Sequence, residues 1–195
     1  MTRKTLILLI CAFSFYGSAA HSKEIIFPPT NMQNETLVLS KQYELFELTY
    51  AEPLSVLEEL KKYVNVSVSN PEVEVATILL IRAMMNDDYD TWLNNWDDDS
   101  KSLIQKEDKN KHDKQKRIHS WNFLKSATSI EIVKFIQTDY AQHTKYLAIM
   151  EVKVNKTNTK RILYFPWYTN INSTNGKWNL ARKLMEHPAF NEYIN

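Results

Sequence analysis

Apolar and polar positions divide this chain into a helical stretch followed by a strand-rich one. The clearest helix is predicted from Asn70-Pro71, an N-cap followed by a proline suited to the first turn, with Glu72 and Glu74 where the helix dipole favours acids. Its body, Val73 to Met85, is apolar almost all round, with Arg82 its one charge after the first-turn Glu74, so it is expected to be buried on most of its surface. After the Asn86-Asp87-Asp88 break, Tyr89, Trp92, Leu93 and Trp96 share a face of a second helix that can resume through Ser100 to Gln105. A third helix is expected within Lys111 to Lys125, with Ile118 and Trp121 at three-residue spacing.

From Ser129 the pattern becomes strand-like. Four segments rich in Ile, Val, Tyr, Phe and Trp, spanning 129–138, 145–155, 160–170 and 177–184, are separated by short connections and predict antiparallel pairing. Asn175-Gly176 is a type I′ hairpin signal, because both central positions of that turn need positive φ. Pro166 implies a bulge or an edge, since proline cannot donate to the ladder. The residues after Glu186, with Pro188, read as a short tail packed through Phe190 and Tyr193.

Ahead of Pro71 the signals are weaker. Leu37 to Tyr50 alternates in part, and Pro53 is read as starting a short helix, Leu54 to Val64. His21 to Gln33, polar around Pro28-Pro29, reads as an extended arm. The first twenty residues have the three-part build of a signal peptide: Arg3 and Lys4, the apolar run Leu6 to Phe15, and Ser18-Ala19-Ala20 as cleavage site. The expected organisation is therefore a signal peptide over 1–20, an N-terminal arm with a small strand and helix segment over 21–70, and an α+β domain over 71–195. The apolar run is about ten residues, short of the roughly 20 that a spanning helix needs, so the expected product is exported and soluble. The compact signal suits a Gram-negative host and a periplasmic destination. Four N-x-[ST] sequons, at Asn34, Asn65, Asn155 and Asn172, would matter only in a glycosylating host.

Composition narrows the function. The lone cysteine, Cys11, falls within the signal, and Ile10 stands where a lipoprotein box wants a small residue, so neither a disulfide framework nor a lipid anchor is expected. Without Arg3 and Lys4 the 24 basic residues become 22 against 23 acids, and no global field attracts nucleic acid. Of the two glycines only Gly176 survives cleavage, which excludes the glycine-rich loops of nucleotide enzymes. No cofactor is expected. GxSxG, HExxH and SxxK are absent.

The acidic clusters Asp87, Asp88, Asp90 and Asp97, Asp98, Asp99 offer hard oxygen ligands, but neither has calcium-loop spacing, and helix N-termini attract such residues. No metal site is expected from them. His112 and His119 are about two helical turns apart, roughly 10 Å, too far to chelate one ion. His143 falls in a predicted turn and His187 precedes Pro188. A dyad of Asp90 or Asp139 with His119 or His143, with Tyr146 or Tyr164 orienting a substrate, can be drawn, although spacing does not test its geometry and these residues are common enough to assemble by chance. The Lys106 to Arg117 basic stretch is interleaved with Glu107, Asp108 and Asp113 and reads as a solvated helix face.

Two stretches resemble the nuclear-transport-factor-2-like superfamily: ATILLIRAMMNDDYDTWLNNWDDDSKSLI (76–104), like its opening helix pair, and NGKWNLARK (175–183), like its last hairpin. The resemblance spans 71–185. The polar 97–111 segment lacks the short hairpin common in those domains, and no family catalytic position maps here. What the resemblance implies is an α+β cone, helices followed by a curved antiparallel four-stranded meander with an apolar mouth, preceded by an N-terminal extension. Within that frame Trp92, Trp96, Tyr164 and Trp167 are the candidate ligand- or partner-binding residues. The function expected first is a non-enzymatic exported binding protein engaging a protein or a small apolar ligand, in an inhibitor, immunity or envelope accessory role. The alternative is a small pocket enzyme of the isomerase, dehydratase or hydrolase kind. Such cones often pair through their sheets, so a homodimer is also expected.

Overall fold

A computed structural model describes residues 32–39, 44–64, 71–140, 145–170 and 177–185. The fold is α+β, with an antiparallel sheet as expected. The chain opens with strands β1 (Met32–Leu39) and β2 (Glu44–Ser55), then runs through helices α1 (Val56–Lys62), α2 (Val73–Met85), α3 (Tyr89–Leu93), α4 (Asp98–Glu107), α5 (Lys111–Ser120) and α6 (Asn122–Lys125). Strands β3 (Ser129–Tyr140), β4 (Lys145–Lys156), β5 (Thr159–Asn170) and β6 (Asn179–Leu180) follow, closed by helix α7 (Arg182–Met185).

The sheet has six strands in chain order, not the four expected. The two extra strands come from the segment before Pro71: β2 pairs with β3, from Phe46 opposite Gln137 to Ser55 opposite Glu131, and β1 pairs with β2. Helices α1 to α6 thus fill the connection between two neighbouring strands rather than preceding the sheet. Pro53 lies in β2, where the register with β3 shifts between Thr49 and Leu54, a place where a residue without an N–H breaks no ladder bond. Helix α1 starts two residues later than expected, capped by the Ser55 hydroxyl, which accepts from the Glu58 N–H at 3.4 Å.

Helix α2 also starts late. Val73 is its first residue and Glu72 caps it without a side-chain bond, so Pro71 lies outside its first turn. Its buried residues, Ile78, Leu80 and Ile81 among them, join a core with Ile130, Ile132 and Phe135 of β3, Met150 and Val152 of β4 and Trp167 of β5. The Arg82 side chain serves as a tether, donating to the Tyr63 carbonyl at 2.6 Å. The helix ends in a Schellman arrangement: Asp87 sits at φ 58°, and the Asp88 N–H reaches the Ala83 carbonyl at 2.8 Å. Asp88 then caps α3 through the Thr91 N–H, and Asp97 caps α4 through the Ser100 N–H. The expected third helix breaks at Trp121 into α5 and α6.

Pro166 stands opposite Ile149 with no register shift, and β6 pairs with β5 only at Trp167 and Tyr168, so Pro166 falls where β5 becomes an edge. The last strand is shorter than expected because the chain turns into α7 after Ala181, with the Arg182 N–H bonded to the Ser100 hydroxyl at 2.9 Å. The Asn175-Gly176 turn, the arm before Met32 and the tail after Met185 lie outside the described residues. Among those described, no helix is long and apolar enough to cross a membrane.

Candidate functional site

Alternation along β5 sends Leu163, Phe165, Trp167 and Thr169 to the face on which the helices pack, and Tyr164, Pro166 and Tyr168 to the other. The end of this strand is where the helical layer and the sheet meet edge to edge. β6 lies beside β5, with Leu180 opposite Trp167, and the segment between α3 and α4 lies beside β6: the Leu180 N–H donates to the Asn95 carbonyl at 2.7 Å and the Asp97 N–H to the Leu180 carbonyl at 2.8 Å. Trp96 and Leu180 form a parallel bridge. One row across the sheet therefore carries Trp167, Leu180 and Trp96, and Thr169 lies one step along the same face.

Aromatic packing fixes this row. The Trp96 ring meets Trp92 edge-on at 5.6 Å, Trp92 lies 5.2 Å from Trp121 and 5.5 Å from Tyr89, and Arg117 stacks over Trp92 at 5.4 Å. The polar atoms of the row are unusual. The indole Nε1 of Trp96, that of Trp167 and the hydroxyl of Thr169 are all buried and without a hydrogen-bond partner. Trp167 is 0% exposed and Thr169 2%. An unmet buried donor costs roughly 1–3 kcal/mol, so three on one face of one sheet end call for a physical account.

The surroundings are apolar on the helix side and acidic on the other. The Tyr168 hydroxyl donates to Asp97 at 3.4 Å, and burial followed by that carboxylate pushes the Tyr168 phenol up to about 12. Asp97 follows Trp96 and accepts from Tyr168, which lies between Trp167 and Thr169, so one carboxylate stands close to the row.

The four aromatic residues singled out in the sequence separate. Trp92 and Trp167 are buried in the core, where a protein surface cannot touch them; Trp96 is half-buried beside them. Tyr164 is on the opposite face, across from Glu151, which in turn faces Lys134. Burial, then the Glu151 charge, raises its phenol. Of the dyad candidates, Asp90 is exposed and paired with Lys114 at 3.4 Å, while His119 Nδ1 contacts Asn122 at 2.9 Å, so the two are engaged elsewhere. Asp139 and Tyr146 are opposite each other in the β3–β4 register, and His112 is exposed on α5. His143 and His187 fall outside the described residues. Among the described residues no cluster of His, Cys, Asp or Glu is arranged to hold a metal ion.

Thr169 was missed in the sequence. Its only signal was its place two residues after Trp167, on the same strand face. Also missed was the buried pair in which the Tyr50 hydroxyl donates to Glu74 Oε2 at 2.9 Å, tying β2 to the first turn of α2.

No family model, curated protein or solved structure matches this chain.

Proposed function

We propose that the chain is an exported, non-enzymatic binding protein of the periplasm, built as a nuclear-transport-factor-2-like cone, and that its ligand is a small, neutral, largely apolar molecule carrying carbonyl or hydroxyl oxygens. The unmet donors Trp96 Nε1, Trp167 Nε1 and the Thr169 hydroxyl carry this reading. Indole N–H groups can only donate, so what answers them is an acceptor oxygen. The aromatic and aliphatic neighbours Trp92, Leu180 and Phe165 suit an apolar body. Asp97 beside the row disfavours a carboxylate, which would bring a second negative charge into a poorly solvated place. An apolar ligand is preferred over a protein partner because the row is buried. Inhibitor, immunity and envelope accessory roles are all compatible with such a ligand.

Native mass spectrometry of the protein captured from its own envelope extract tests the reading. A retained neutral mass of small-molecule size, lost in T169V and W96F, is the expected result. A bare protein, or retention unchanged in both variants, overturns it.

A further inference from the structure

The opposite end of β5, roughly 20 Å from Trp167 at the rise of a β-strand, carries a separate feature. A small cleft of ≈ 90 Å³, open to solvent, is lined by Phe123 of α6 and by Val154, Lys156, Thr159 and Arg161 of the β4–β5 hairpin. Register explains how they come together. Val154 is opposite Arg161 and Lys156 opposite Thr159, on successive same-face rungs next to the turn, so the four side chains project toward the helix side, where Phe123 closes the cleft.

Its cations are uncommitted and one is held in place. The Arg161 guanidinium lies 4.8 Å from the Phe123 ring centroid, a cation–π contact that restricts it without using its N–H groups. Arg82 is engaged by the Tyr63 carbonyl, Arg117 by Asp108 and Glu107, and Arg182 by Glu107. By contrast Arg161 and Lys156 have no carboxylate or carbonyl partner among the described residues, and no acid lines the cleft. The whole chain has a formal charge of only +1, so this is a local concentration of positive charge and not part of a general field.

We propose that this cleft binds a phosphate group. The planar Arg161 fork supplies paired donors, Lys156 a point charge from the facing strand and Thr159, opposite Lys156, a hydroxyl, a set of three donor groups that suits the several oxygens of a phosphate better than the two of a carboxylate. Phe123 and Val154 provide an apolar flank for whatever carries the phosphate. This site is independent of the buried donor row, and either can fail without the other.

Titration of the purified product of the full chain with inorganic phosphate, followed by amide NMR shifts against acetate at equal ionic strength, tests the proposal. Saturable shifts at Phe123, Thr159 and Arg161 with phosphate alone are expected, with R161Q and K156Q each weakening binding at least about tenfold while circular dichroism stays unchanged. Sedimentation with phosphatidylcholine vesicles, with and without phosphatidic acid, separates the sources: retention on the phosphatidic acid vesicles, lost in R161Q, without a response to inorganic phosphate assigns a lipid headgroup, and saturation by inorganic phosphate assigns a soluble one. Equal response to phosphate and acetate, or R161Q behaving as the parent in both arms, or no response in either arm, overturns the proposal.

Discussion

Arg117 grips Asp108 through two nitrogens, Nε at 2.6 Å and Nη2 at 3.1 Å, joining the last turns of α5 to the end of α4. The Asp108 side chain is only 5% exposed and also accepts from the Tyr89 hydroxyl at 2.7 Å, so one carboxylate links α3, α4 and α5. Arg117 in addition donates to Glu107, which itself receives Arg182 from α7. Charge-assisted, fork-shaped pairing of this kind is among the stronger side-chain interactions.

Removing the guanidinium should therefore be costly. R117Q leaves a nearly buried carboxylate with Tyr89 as its remaining described donor and strips the cation from the Trp92 face. The expected loss is about 2–3 kcal/mol, below the upper range for fully buried pairs because Arg117 keeps some solvent, read from urea unfolding midpoints. R117K, which keeps the charge and loses the fork, should recover only part of it; full recovery would show that charge alone matters.

The same cluster sets the acid limb of stability. Burial by itself would raise Asp108, but hydrogen bonds from Arg117 and Tyr89 outweigh it and hold its pKa below the ordinary carboxylate value; Glu107 is lowered chiefly by Arg182. A carboxylate whose folded pKa is depressed adds stability above its unfolded pKa, about 4, and loses it as pH falls through the folded value. Thermal midpoints should thus decline below about pH 4. D108N should be less stable at neutral pH and show a flatter decline; an unchanged acid slope would rule out Asp108 as a contributor.

At the alkaline end the phenols should report. Burial and then Asp108 push Tyr89 up to about 12, burial and then Asp97 do the same for Tyr168, and burial with the Glu74 contact drives Tyr50 beyond the ordinary range. Raised folded pKa values stabilise the fold below the unfolded tyrosine pKa, about 10, with that contribution lost as pH rises through the folded values. Tyrosinate absorbance should show a late-ionising class in the native protein that merges with the rest in urea. Y89F should shrink that class.

T169V tests the unmet hydroxyl at the end of β5. Valine has nearly the same shape and removes a buried group that has no partner, so the ligand-free protein should gain about 1 kcal/mol. Lost stability would mean that the hydroxyl is satisfied in solution.

Much of the sheet could be read directly, because β3, β4 and β5 are long, half-buried and rich in β-branched residues, and Pro166 marks an edge for a local reason. The place of β1 and β2 was hidden, since Thr49 finds Lys134 only through tertiary pairing and nothing near Thr49 names its partner. Helix starts slipped where a proline suggested a start that a serine or a later residue provides, as at Pro53 and Pro71. The site was legible only in part. Richness in tryptophan pointed to Trp96 and Trp167, but which ring nitrogens lack partners depends on how β6 and the 95–97 segment meet, and strand parity was needed to move Tyr164 to the other face.

Because β2 borders β3 while helices α1 to α6 lie in the chain between them, the sheet cannot be completed until that helical segment has folded back. While the chain folds, the first hairpin keeps one strand edge unpaired, whereas β3, β4 and β5 are joined by short connections. Assembly is thus divided in time between a fast local meander and a slow long-range docking step. The interval before β2 meets β3 is the period in which another chain could take the open edge.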